Sequence, residues 1–125
     1  MDIAITVIQV VLGLLLTLGG LLKIILPYAK YSNAPGVAWS KDFKPAHLKL
    51  IGVLESSGGG GLLVPLLLPS LTMLTPLAAV GIALYMAGAI ATHLRRSEYL
   101  IIIGNLICLG LALFVAYGKL VGFAV

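Results

Sequence analysis

Charge is scarce in this chain. Of its 125 residues only 10% are Asp, Glu, Lys or Arg and 61% are hydrophobic, whereas a soluble domain carries roughly a quarter charged residues. A water-soluble fold of this size could not hide so many Leu, Ile, Val and Ala, so the surplus must face lipid. There is one cysteine, Cys108, which excludes an internal disulfide, a Cys-x-x-Cys redox centre and a thiolate metal cluster. Histidine is limited to His47, near a loop, and His93, at the end of a span, so the spans offer no second axial ligand for a haem, and no metal is expected. The net charge of +4 comes from only eight basic residues. They form no dense run interleaved with aromatics, so nucleic acid is not an expected partner.

What is abundant comes in runs. A bilayer core about 30 Å thick needs roughly 20 apolar residues in a helix. Four such stretches occupy about 3–26, 45–68, 71–94 and 99–121. The alternation of membrane β-strands is absent, so helices must satisfy the backbone. The sequence thus predicts an all-α, integral membrane four-helix bundle, a single transmembrane domain over residues 1–125 with an interfacial connection at 28–44. The first run is expected to be retained as a span: Asp2 stands where the basic end of a cleaved signal belongs, and no small-residue cleavage site follows. Lys30, Lys41 and Lys44 lie in the first connection, Lys23 and Lys49 flank it, and Arg95 and Arg96 lie in the third. By the positive-inside rule these connections are cytoplasmic, which places both termini on the non-cytoplasmic side.

The first connection is also the long one. Its Pro35-Gly36 turn, surrounded by Tyr28, Tyr31, Trp39 and Phe43, predicts a segment lying among the headgroups. Trp39 and Phe43 are spaced to share one face of a short helix, which reads either as a belt anchor or as a lid over a site beneath.

Without a hydrophobic drive between them, membrane helices associate through small residues that allow close approach. The second span offers Gly52, Ser56 and Gly60, the third Ala79, Ala83, Ala87 and Ala91, and the fourth Gly104, Cys108, Ala112 and Ala116. These are expected to be contact stripes, with Cys108 a packing residue. The run from Gly58 to Gly61 predicts either very close helix approach or a locally unwound backbone beside a ligand. It is no phosphate-binding loop, because the lysine and hydroxyl of that motif are missing.

Glu55 is the most informative residue. It lies about three residues, or about 4.5 Å, from the middle of its span. A carboxylate there costs at least about 2.5 kcal/mol and marks a functional-site hypothesis with a partner to be named. Depth along the helices selects the candidates. Lys23 ends the first span, His93 the third, Asn105 lies one and a half turns into the fourth, and Tyr85 lies two turns deeper than His93 on the same face. A polar cluster of Glu55, Lys23, His93, Asn105 and Tyr85 from all four helices is therefore expected. The plainer alternatives are a structural Glu55–Lys23 pair, or a protonated Glu55 bonded to Asn105 or Tyr85, with Lys23 extending to the headgroups and His93 merely interfacial.

The residues Gly19-Gly20-Leu21-Leu22-Lys23-Ile24, the segment Lys49-Leu50-Ile51-Gly52-Val53-Leu54-Glu55 leading through glycines to Leu63-Val64-Pro65, and Ala87-Gly88-Ala89-Ile90-Ala91-Thr92-His93-Leu94-Arg95-Arg96 together resemble the DoxX-like family. The resemblance implies a four-helix integral membrane protein in which Lys23, Glu55 and His93 are the family's polar positions. Its members range from a subunit of a thiosulfate:quinone oxidoreductase to, more distantly, the NACHO receptor-assembly proteins, so the family fixes a fold better than a function.

Two functions compete on these grounds. The first is binding of a quinone or isoprenoid-type lipid in the polar site, as an accessory subunit of a membrane redox system. An enzymatic version of it would use Glu55 as base and His93 as acid. The second is an assembly factor or chaperone that engages the transmembrane helices of a client membrane protein. A homodimer is compatible with both. Transport is disfavoured, because a chain this short offers too small a pathway.

Overall fold

The computed structural model describes residues 3–124, with side chains described as far as Val121. Its elements are α1 (Ile3–Ile25), α2 (Tyr28–Ser32), a 3-10 turn (Ala38–Asp42), α3 (Pro45–Leu67), a second 3-10 turn (Pro69–Leu71), α4 (Leu74–Arg95) and α5 (Tyr99–Ala124). Among the described residues there is no strand. The four long helices are each long and apolar enough to span a bilayer. The chain is thus an all-α membrane four-helix bundle. The helices run up and down in the order α1, α3, α4, α5, and α5 returns to α1 through Ile5 beside Gly118.

Local chemistry sets the boundaries. Pro45 opens α3, where its missing N–H is no loss. At the other end Pro69 starts a short 3-10 turn, so α4 begins at Leu74, later than the hydropathy pattern predicts from residue 71. The α4–α5 turn is closed by Ser97 at φ 56°, with Ser97 N donating to Leu94 O and Glu98 N to His93 O. A non-glycine residue in the left-handed region costs about 1 kcal/mol. Ser97→Gly is accordingly expected to stabilise the protein by up to about 1 kcal/mol, read as a higher midpoint of thermal unfolding in detergent. A lower midpoint would mean that the Ser97 side chain contributes more than its backbone costs.

The α1–α3 contact is backbone on backbone. A Cβ placed on Gly20 would stand 2.5 Å from Gly52 O and Ser56 N, one on Gly52 2.7 Å from Gly20 O, and one on Gly59 2.5 Å from Thr17 N. Gly52 and Ser56 therefore face α1. Gly60 does not: nothing lies within 4 Å of its Cβ position. The correction follows from helical period. Gly59 is two turns from Gly52 and nearly eclipses it, whereas Gly60 is rotated about 80° away. The glycine run is helical throughout, so it is not unwound. Gly58 and Gly61 meet Ile82 and Ala78 of α4, while Gly59 meets α1. The α4 and α5 stripes are only half used. Ala79, Ala83, Ala112 and Ala116 are buried, but Ala87, Ala91 and Gly104 are exposed.

The apolar core gathers Ile5, Leu12, Leu62, Ile82 and Val115 in the half of the bundle remote from the long connection and reaches Leu16 and Met86 near its middle. Gln9 crosses that half, its Nε2 donating to Leu62 O at 2.7 Å and Thr75 Oγ1 at 3.3 Å. Polar groups dominate the other half.

Candidate functional site

Glu55 and Lys23 face each other across the glycine contact. With Gly20 and Gly52 removing any bulk between α1 and α3, Lys23 Nζ donates to Glu55 Oε1 at 2.5 Å. The same oxygen accepts from Tyr85 Oη of α4 at 2.8 Å. Lys23 is 7% exposed and Glu55 9%. The lysine stays within the bundle instead of extending to the headgroups. A buried carboxylate is tolerable only when its charge is compensated, and here the Lys23 cation compensates it while the Tyr85 hydroxyl bonds the same oxygen, Oε1.

The connection between α1 and α3 folds over this trio as a strap. Tyr28 Oη donates to Phe43 O at 2.7 Å, Ser40 Oγ to Val37 O at 2.6 Å, and Lys49 Nζ reaches back to Ile24 O at 2.8 Å. Trp39 sits at the centre. Its ring makes edge contacts with Tyr31, Phe43 and His93 at centroid distances of 6.4, 6.1 and 5.7 Å. Lys23 Nζ lies 5.8 Å from the Tyr31 centroid and 5.6 Å from that of Trp39, within reach of a cation–π attraction.

An electrostatic clasp holds the strap to the α4–α5 turn. Arg96 pairs with Asp42 at 2.9 Å and with Glu98 at 3.5 Å, and His93 Nδ1 meets Glu98 Oε1 at 2.8 Å. The bond to Asp42 raises the Arg96 pKa above its already high ordinary value, so the guanidinium is charged at any working pH.

Beneath Trp39 and Phe43 lies a cavity of about 490 Å³ between α3, α4 and α5. Its polar lining is Lys23, Glu55, Tyr85, Thr92, His93 and Asn105; the rest is apolar. Leu54, Leu84 and Gly88 also line it, and they are exposed, so it opens sideways toward lipid between α3 and α4. Asn105 Nδ2 is buried and has no hydrogen-bond partner.

Of the residues expected to cluster, Lys23, Glu55 and Tyr85 are directly bonded. His93 and Asn105 line the same cavity, but His93 binds Glu98 and neither is bonded to Glu55. Sequence reasoning passed over Glu98 and the Asp42–Arg96 pair. A signal for the strap was available, since the sole tryptophan falls in the long connection. A signal for Glu98 was the spacing of five from His93 across a turn, which helical periodicity does not score.

The model of the DoxX-like family matches residues 7–115, a stretch that includes the strap and every residue of the site. No curated protein and no solved structure matches the chain. The chain belongs to the DoxX-like family.

Proposed function

We propose that this DoxX-like membrane protein binds a quinone or isoprenoid-type lipid, with its head in the cavity beneath Trp39, as an accessory subunit of a membrane redox system. The observation that carries the reading is a side-opening, mainly apolar cavity whose lining includes Asn105, a side chain with an unpartnered Nδ2. An unpaired buried donor costs about 1–3 kcal/mol, a cost that a ligand acceptor would remove. The charges point the same way. Lys23 and Glu55 cancel each other, so an uncharged head suits the site better than a phosphate or an ammonium. Lys23 Nζ retains donors beyond the one given to Glu55. A carbonyl oxygen fits such donors, and a quinone presents two. By the distribution of Lys and Arg the strap faces the cytoplasm.

Binding is favoured over catalysis, because Glu55 is held by Lys23 and Tyr85 through Oε1, and His93, the acid of the enzymatic version, is bonded to Glu98 and not to Glu55. The assembly-factor reading is weaker, since Gly52 and Ser56 of α3 are packed against α1, which leaves a client only the exposed Ala87, Ala91 and Gly104 of the other stripes.

Asn105→Leu tests the reading, because it removes the donor and leaves the ion pair alone. Native mass spectrometry with solvent extraction is expected to find one amphiphile per wild-type chain, retained at least about 10-fold less in the variant, equivalent to one hydrogen bond of about 1.4 kcal/mol. A short-chain benzoquinone or naphthoquinone should quench Trp39 fluorescence saturably in the wild type. If the wild type retains nothing stoichiometric and neither quinone quenches saturably, the site is structural.

A further inference from the structure

A second depression of about 680 Å³ runs along the lipid face between α3 and α4. Gly58, Gly60 and Gly61 of α3 and Ala78 and Gly81 of α4 line it, with Val64, Leu74 and Leu77 toward its far end. It shares Leu54, Leu84 and Tyr85 with the head cavity, so the two adjoin along these side chains. From Leu54 to Val64 the groove follows ten residues of helix, about 15 Å, or half the thickness of the hydrocarbon core.

We infer that this groove is the seat of the ligand's tail: a single methyl-branched hydrocarbon chain, of the polyisoprenoid kind, leaves the head cavity past Tyr85 and lies along Gly60 and Gly81 toward the opposite leaflet. The inference rests on the head-site reading above. Three observations carry it. Trp39 and Phe43 roof the cavity on the strap side, so a long tail must leave sideways. Lys23, Glu55, His93 and Asn105 line the cavity and none of them lines the groove, so the polar end of a ligand belongs in the cavity, and the groove begins where that cavity opens. The glycines account for the groove itself. Gly58 and Gly61 draw α3 onto α4, while Gly60 and Gly81 have nothing within 4 Å of their Cβ positions. Open glycines serve no helix contact, and side chains there would fill the trough. A diacyl phospholipid is a poorer occupant, because its phosphate would enter a site where the Lys23 charge is already spent on Glu55.

The test uses that open space. Gly60→Leu and Gly81→Leu meet no neighbouring atom at Cβ and fill the groove. Gly104→Leu on α5 is equally unobstructed, lies outside the groove and serves as control. Each is reconstituted in phosphatidylcholine nanodiscs and titrated, by Trp39 quenching, with two quinones that share one head, one bearing a long isoprenoid chain and the other a methyl group. For both groove variants, binding of the long-chain quinone is expected to weaken at least 10-fold, while the short quinone stays within twofold of wild type. Gly104→Leu should change neither. Undiminished long-chain binding in both groove variants overturns the tail groove and leaves the head site standing. Absence of binding of either quinone to the wild type overturns the head site and the groove together. A wild-type dimer that becomes monomeric in the groove variants, with long-chain affinity unchanged, assigns the groove to a second copy and also overturns the inference.

Discussion

Glu55→Leu is expected to lose about 3–5 kcal/mol of stability, because it strands the Lys23 ammonium at a site that is 7% exposed. Lys23→Leu should cost a similar amount by stranding the carboxylate. The double variant removes both charges and is expected to recover most of either loss, since a buried ion pair contributes little over well-packed apolar residues. One cost remains in the double variant. Tyr85 Oη, which donates to Glu55 Oε1, is left without its acceptor at about 1–3 kcal/mol, so adding Tyr85→Phe should restore stability further. Trp39 reports on all of these through its intrinsic fluorescence during denaturation in mixed micelles, because its ring is 5.6 Å from Lys23 Nζ. The pairing idea depends on coupling. Single losses that add in the double variant within about 0.5 kcal/mol would mean that Lys23 finds the headgroups and that no buried pair forms.

The contrast between what hydropathy reveals and what it hides follows from this geometry. Four spans and the depth of Glu55 are legible because each depends on position along one helix, and 1.5 Å per residue converts sequence number into depth. Depth groups Lys23, Glu55, His93 and Asn105, a helix face shared with His93 adds Tyr85, and all five line one cavity. Rotation about the helix axis is harder to read. The stripe of every fourth residue admits Gly60, yet contact with α1 is made by Gly59, because two turns of helix take seven residues more nearly than eight. A helix with small residues on several faces gives the sequence no means of choosing. The strap was the least legible element. Trp39 satisfies the headgroup-anchor pattern equally well whether it faces lipid or lies over His93 and Lys23. Only the tertiary pairs Arg96–Asp42 and His93–Glu98 decide, and they join residues far apart in sequence or across a turn.

The rotational assignment of α3 leads to the other large effect. Gly52→Ala is expected to destabilise the protein by about 2–3 kcal/mol, the upper range for overpacking, whereas Gly60→Ala should be neutral or stabilise by up to about 1 kcal/mol through helix propensity. The same methyl group is added eight residues apart on one helix, so the sign depends on the face alone. At Gly52 the new carbon would stand 2.7 Å from Gly20 O and 2.9 Å from Lys23 Cβ. Neither can yield cheaply: the first is backbone, and the second begins the side chain that pairs with Glu55. Moving α1 outward to accommodate it would lengthen the Lys23–Glu55 bond and weaken the Gly59–Thr17 contact one end further along. The loss should therefore be cooperative, and Gly52→Ala should also reduce quenching of Trp39 by a bound quinone, because Lys23 helps to line that cavity. Measured side by side in one detergent, a Gly60→Ala protein less stable than Gly52→Ala would require α3 to be turned by about 80°. That turn would carry Glu55 away from Lys23, so the two alanines and the Glu55–Lys23 cycle test one structural assignment from independent sides.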